Sequence, residues 1–334
     1  MDMRKNKLLI LCSLVILLVA SVLAGVLLGS VKVTLAETIN ILLGGDIGTT
    51  QAILIKVIRI PRVFAGLVAG IGLATSGVVL QGVMNNSLAS PNTIGVNSGA
   101  GFAVMLSMLI WPMHFKMVPI MAFAGALVTT LLIYGLAYMS DSSRTTIVLA
   151  GITVSSFLSA GINTIKLIDT DITINVTTFL IGSLSGITMD KLVIPISVVC
   201  IALALLCVMS KSLNILNLGD GVARSLGLRV NWTRFILMVL SSAMAGAVVS
   251  YAGLISFVGL IAPHICRKIF GNDHRCLIPA SALFGGSFVI MSDMLGRILV
   301  APYELPVGII MSSVGGPFFL YLLCCKKGGR RVNA

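Results

Sequence analysis

The chain has 334 residues, 57% of them hydrophobic and only 10% charged, with a mean hydropathy of +1.07 and a net charge of +12. A soluble domain carries about 25% charged residues, so a soluble globular protein is excluded. Apolar runs of about 20 residues recur from end to end, each long enough to cross a bilayer as a helix, and the short alternating segments of a membrane β-barrel are missing.

The pattern therefore predicts an all-α polytopic membrane protein of about ten transmembrane helices, at 8–29, 63–83, 95–112, 116–138, 146–165, 192–210, 234–251, 254–270, 277–299 and 305–325. Only short connections remain, so residues 1–334 are expected to form one transmembrane domain with no soluble catalytic domain. The first run follows a basic start and imitates a signal peptide. At about 22 residues it is longer than the usual apolar core of about 7–15, and an uncleaved first span is expected.

Lys and Arg set the orientation, because they concentrate in cytoplasmic loops. Both ends are basic, with Arg4, Lys5 and Lys7 at the start and Lys326, Lys327, Arg330 and Arg331 at the finish. Both ends inside requires an even number of spans. The inner loops then also hold Arg144, Lys211, Arg224, Arg229, Arg234, Arg267, Lys268 and Arg275, leaving Lys32, Lys56, Arg59, Arg62, Lys116, Lys166, Lys191 and Arg297 outside. The net positive charge is thus a topology signal, not a nucleic-acid footprint.

Before the second span, VIRIPRVFAGLVAG (57–70) places Arg59 and Arg62 around Pro61 at the outer face, against the general bias. Either they snorkel to lipid headgroups or they present fixed charge to a partner. Gly66, Gly70 and Ala74 then make a small-residue face that lets helices approach. The next inner connection, 84–101, has no Lys or Arg and is rich in Asn, Ser and Gly, residues suited to turns near a pore mouth or to an ordinary tight connection.

The longest inner loop, 211–234, contains a short helix signature. Asp220 is placed to cap it and Gly227 to take the left-handed position after it. So short a helix needs something to pack on, either its own membrane domain or a cytosolic partner. Val222, Leu226 and Leu228 would supply apolar contact and Arg224 a polar rim. Gly182, Gly186, Gly315 and Gly316 allow close packing or broken helices beside a pathway. Asp293, the one acid clearly within a span, stands four residues before Arg297 on the same helix face, as in a local ion pair. His264 reads as a helix-end histidine.

No G-x-x-x-x-G-K-[ST] motif is present, no spacing of the seven cysteines suggests a metal site or disulfide framework, and no paired catalytic groups stand at membrane depth. An intramembrane enzyme is disfavoured. So is a lone ion-coupled secondary transporter, which usually places ionisable groups mid-membrane. A transporter body with neither device draws its power from a partner.

These stretches together resemble the permease subunits of ATP-binding-cassette (ABC) importers for iron–siderophore, haem and cobalamin uptake, the type II class. The similarity runs through RIPRVFAGLVAGIGLATSGVVLQGVMNNSLASPNTIGVNSGAG (59–101), GSLSGITMDKL (182–192), LNILNLGDGVARSLGL (213–228), AGLISFVGLIAPHICRKIFGNDHRCLIPASALFGG (252–286) and ELPVGIIMSSVGGPFFLYLL (304–323). The resemblance implies a ten-span permease in a bacterial cell membrane with both termini cytoplasmic. It implies pairing with a second copy or a paralogue, two ATPase subunits below, an external binding protein above, and a pathway between the two permeases. An iron(III)–siderophore complex is the expected cargo and haem or cobalamin the alternatives; the permease itself breaks no bond and holds no cofactor.

By the same resemblance, Arg59, Arg62 and Arg297 are similar to positions that meet acidic residues of the binding protein. Leu218, Gly219, Asp220, Val222, Ala223, Arg224, Leu226 and Gly227 are similar to the cytoplasmic coupling segment gripped by the ATPase. Asn86, Leu88, Ser143 and Thr145 look like the inner gate. The family's N-P-L-A is Asn86-Ser87-Leu88-Ala89 here, and loss of that proline puts a rigid gate loop in doubt.

Overall fold

The computed structural model describes residues 2–31, 33–45, 50–112, 114–139 and 144–328; among them every regular element is helical. In chain order these are α1 (Asp2–Leu27), α2 (Leu35–Leu42), α3 (Thr50–Ile53), α4 (Ile60–Met84), α5 (Val96–Ile110), α6 (Met117–Met139), α7 (Arg144–Ile168) and α8 (Thr170–Ile181). The second half has α9 (Met189–Val208), α10 (Ser210–Leu216), α11 (Asp220–Ser225), α12 (Val230–Ala252), α13 (Val258–Phe270), α14 (His274–Ile298) and α15 (Val307–Gly328). Seven segments are long and apolar enough to cross a membrane: α1, residues 50–84 ending in α4, α6, α7, α9, α12 and α14. Three shorter apolar helices, at 96–110, 170–181 and 307–322, stand among them.

The core is built around α4, buried along nearly its whole length and packed against α12, α13 and α14. Small residues make this possible. A Cβ on Gly70 would stand 2.1 Å from the backbone oxygen of Gly285, and one on Gly77 would stand 1.9 Å from that of Gly259. At both crossings backbone meets backbone, which is how helices associate where lipid offers no hydrophobic drive. A Cβ on Gly66, paired with Gly70 on sequence, would meet nothing nearer than ordinary contact, two side-chain atoms at 3.4 Å and the Ile290 Cα at 3.6 Å, so the close approaches fall one on α14 and one on α13.

Each predicted span has a helix at its place, but the span at 254–270 is not one continuous helix. Residues 253–257 are non-helical, and α13 has 13 residues, about 20 Å at 1.5 Å per residue against a hydrocarbon core of about 30 Å. The 12-residue α8, which hydropathy leaves inside a connection, is a second short helix, and residues 182–188 after it are non-helical. The two interruptions lie side by side. Leu254 N donates to Phe179 O (2.9 Å), Ser183 N to Ala252 O (2.8 Å), and Gly308 N at the start of α15 to Gly182 O (3.0 Å). Gly182 and Gly253 have φ of +88° and +71°, values open to glycine at no steric cost. Non-helical backbone at membrane depth is tolerated where protein satisfies it or where it lines a cavity; both hold here.

Candidate functional site

Three regions along the axis of α4 collect the residues singled out by sequence. At one end, just before Pro61, the backbone widens into a six-residue π-helical turn, Leu54–Arg59. Pro61 has no N–H to bond the carbonyl four residues back, and the turn absorbs the mismatch. It leaves Arg59 and Arg62 three apart and therefore on one face, Arg59 aimed at the end of α1 and Arg62 at Asp293 and Glu304. Arg59 Nη1 donates to Val26 O (2.9 Å) and Leu27 O (2.8 Å), and its Nη2 to Val31 O. Arg297 Nη2 donates to Gly25 O (2.9 Å). Apart from Val31, which follows the helix, these are carbonyls of the last turn of α1, which lack intrahelical donors and carry the negative end of the helix dipole. The two arginines therefore cap α1.

Arg62 makes the strongest pair of the cluster. Its Nε lies 2.9 Å from Asp293 Oδ2 and its Nη2 donates to Asp293 Oδ1 at 3.0 Å, while Nη1 donates to Glu304 Oε2. Arg297 Nε stands 3.2 Å from Asp293 Oδ2, an ion pair without hydrogen-bond alignment. Sequence identified the Asp293–Arg297 pair but missed Glu304, which bridges Arg62 and Ser30 Oγ (3.1 Å). The available signal was the scarcity of acids, 11 in the chain, two of which, Asp293 and Glu304, lie within seven residues of Arg297. Arg59, Arg62 and Arg297 are only 3%, 4% and 3% exposed, so their charge is engaged inward. Partial burial raises the Glu304 carboxyl, but the hydrogen bond and charge of Arg62, with Ser30 and Arg297, outweigh it and hold it below its ordinary value.

Between these two ends, the last residues of α8, the interruption at 253–257 and the start of α15 line an open cavity of about 510 Å³, with Leu180, Ile181, Leu254, Ser256, Ser312 and Ser313 among its walls. No lining residue is charged. Beside it Gly315 lies under the ring of Phe257: a Cβ there would stand 2.2 Å from Phe257 Cγ.

At the far end of α4, about 33 Å from Arg62 at 1.5 Å per residue, a second cavity of about 640 Å³ brings Asn86 and Ser87 together with Leu218, Asn217, Arg267 and His274. One residue assigned by sequence to the gate and one assigned to the coupling segment thus line the same space. Leu88 and Thr145 do not line it, and Ser143 lies outside the described residues. With serine in place of the family's proline, the loop is held instead by Asn86, whose side-chain oxygen accepts from Leu88 N (2.9 Å) and whose carbonyl accepts from Ala89 N (3.1 Å).

The helix expected after Asp220 is α11. Its end is as expected: Gly227 has φ +81°, and Gly227 N and Leu228 N donate to Arg224 O and Ala223 O, a Schellman cap. Its start is not. Gly219 occupies the cap position without a side-chain bond. The Asp220 carboxylate instead accepts from Arg234 Nη2 (2.9 and 2.8 Å) and Arg144 Nη2 (3.1 Å). Two guanidinium groups outcompete a backbone N–H because charge-assisted hydrogen bonds are about twice as strong as neutral ones. Burial raises the Asp220 carboxyl, but the Arg234 hydrogen bond and charge and those of Arg144 prevail, so it sits below its ordinary value. Ala223 is buried, while Leu218, Val222 and Leu226, each four residues on, are exposed and form an uncovered apolar stripe on the other face.

Residues 16–324 match the FecCD transport family. The chain is 35% identical over 324 residues to the Fe(3+)-citrate import system permease protein YfmE of Bacillus subtilis, covering 96% of each. It is 34% identical over 282 residues to the hemin transport system permease protein HmuU of Yersinia pestis, covering 82% of this chain and 84% of that one. A solved metal-chelate type ABC transporter in an inward-facing conformation superposes with a TM-score of 0.84 at 28% identity, over 94% of this chain and 98% of that one.

Proposed function

This chain belongs to the FecCD transport family, and on that premise we propose that it is the membrane permease of an ABC importer that moves an iron(III)–siderophore complex inward. Its coarser role is that of a polytopic cell-membrane permease of a type II importer for iron chelate, haem or cobalamin. Iron is favoured by the full-length likeness to a ferric-citrate permease.

One observation carries the reading: the open, uncharged cavity between the end of α8, the interruption at 253–257 and the start of α15, whose apolar wall is interrupted by Ser256, Ser312 and Ser313. A wall of this kind offers a bulky chelate hydroxyl contacts and no strong binding charge. That suits cargo handed over by a binding protein and released onward. Two such walls, from this chain and a second copy or a paralogue, would form the pathway. The Leu218–Val222–Leu226 stripe supports α11 as the element gripped by an ATPase, with the termini on that cytoplasmic side. The cluster of Arg59, Arg62 and Arg297 is the proposed docking face for an external binding protein. It holds three positive charges against two negative, and Glu304, about a third exposed, is where an incoming carboxylate would exchange.

The test is reconstitution into vesicles with the co-purifying ATPase and binding protein, followed by uptake of radioactive iron as ferric citrate or a ferric hydroxamate, with haem and cobalamin as competitors. ATP-dependent iron uptake unaffected by cobalamin and haem supports the reading. Uptake of cobalamin or haem alone reassigns the cargo, and uptake on an ion gradient without ATP overturns the mechanism.

A further inference from the structure

We propose that Arg144, Asp220 and Arg234 form an ionic strut that carries movement of α11 into α7 and α12. This role of positioning residues rests on the reading of the chain as an ATP-driven permease. α11 has six residues, too few to be stable alone, and its apolar side faces outward. What holds it is largely its first side chain. The Asp220 carboxylate joins Arg234 on α12 and Arg144, the first residue of α7, and Arg144 Nη2 also donates to Leu216 O (2.8 Å) at the end of α10. One carboxylate and two guanidinium groups therefore tie four helices at a single node.

The node is stiff. Arg234 is among the largest fully buried side chains, 1% exposed, and its two bonds to Asp220 are short. It is also asymmetric. The Asp220 side of α11 meets the strut while the Leu218–Val222–Leu226 side is free for a partner, so a partner that grips α11 pulls on α7 and α12 through charge-assisted hydrogen bonds. α7 begins at the strut, and α12 packs along α4, α6 and α9. A shift at the node thus reaches the helices behind the cavity walls without passing through the rest of the 211–234 loop.

The experiment measures transport and ATP hydrolysis in the same vesicles holding the full complex, and reads their ratio. A residue that only stabilises the fold lowers both and leaves the ratio unchanged. Arg144→Gln, at a side chain about a fifth exposed, is expected to lower cargo moved per ATP about tenfold, a usual size for coupling between linked sites. Arg144→Lys, which keeps the charge, is expected to recover much of it, and Asp220→Asn to lower the ratio at least as far as Arg144→Gln. A wild-type ratio in Arg144→Gln overturns the strut, as does equal loss in the Lys and Gln variants. If Asp220→Asn fails to assemble, the Arg144 pair still decides. A wild-type chain that transports with no ATPase bound overturns the underlying reading instead, and that is seen before any variant is made.

Discussion

Arg62 and Asp293 stand 231 residues apart in the chain and meet as a two-pronged ion pair, Nε to Oδ2 at 2.9 Å and Nη2 to Oδ1 at 3.0 Å, both side chains almost wholly buried. The pair joins the first turn of α4 to the last turns of α14, and through Arg297 it reaches the end of α1. Removing one partner of a buried pair strands the other's charge, which costs about 3–5 kcal/mol. Asp293→Asn should therefore destabilise the protein by that order, measured as a lower unfolding temperature in detergent. A loss under about 1 kcal/mol, the level of an exposed pair, would mean the site is wet.

The burial of the arginines changes how docking should be tested. Reversing Arg59 and Arg62 would remove the cap of α1 along with any docking charge, so loss of binding in that variant is ambiguous. Glu304→Gln is cleaner. It removes the exposed competitor and leaves the cap in place. Affinity for the external binding protein should rise several-fold at low salt and converge with wild type at high salt, since exposed charges are screened within about 10 Å at 0.1 M. Equal affinities at low salt would make the cluster a structural cap only.

The same carboxyl gives a pH signature. The folded-state value of Glu304 lies below its ordinary 4.5, so its stabilising contribution is fully present above 4.5 and is lost as pH falls through the folded value. The difference in unfolding temperature between wild type and Glu304→Gln should be flat from neutral pH down to about pH 5 and shrink below that. A difference already shrinking between pH 7 and pH 6 would contradict the pairing with Arg62.

Two glycines four residues apart make a paired control for the helix crossing. Gly70→Ala forces a methyl into the backbone of α14 and should cost about 1–3 kcal/mol or more, whereas Gly66→Ala meets its neighbours at ordinary contact distance and should fold as wild type. Folded yield and melting temperature separate the two.

On α11, Val222→Glu with Leu226→Glu replaces exposed apolar groups. It should leave the permease folded and lower ATPase co-purification at least tenfold, because an unpaired carboxylate buried in an apolar contact costs well over about 1.4 kcal/mol. Undiminished co-purification would move the ATPase contact elsewhere.

The long helices were legible in the sequence because a bilayer imposes a length and a composition on anything that crosses it. Gly227 was legible because a left-handed residue after a helix nearly demands glycine. The 12 residues of α8 were not, since half a span carries half the hydropathy signal and resembles a connection. Asp220 was misjudged for a different reason. Local sequence offers it the role of a cap, and only the fold brings Arg144 and Arg234, from 76 residues before and 14 after, close enough to claim it. Glu304 escaped for the same cause: its partner is 242 residues away.

The paired interruptions at 182–188 and 253–257 have a practical consequence. A hydropathy plot presents the first as a connection, the natural place for an affinity tag, a fluorescent label or a protease site. Yet Ser183 N, Gly182 O and Leu254 N are bonded to one another's segments and to α15, so the stretch behaves as a keystone and an insertion there would unseat three helices at once.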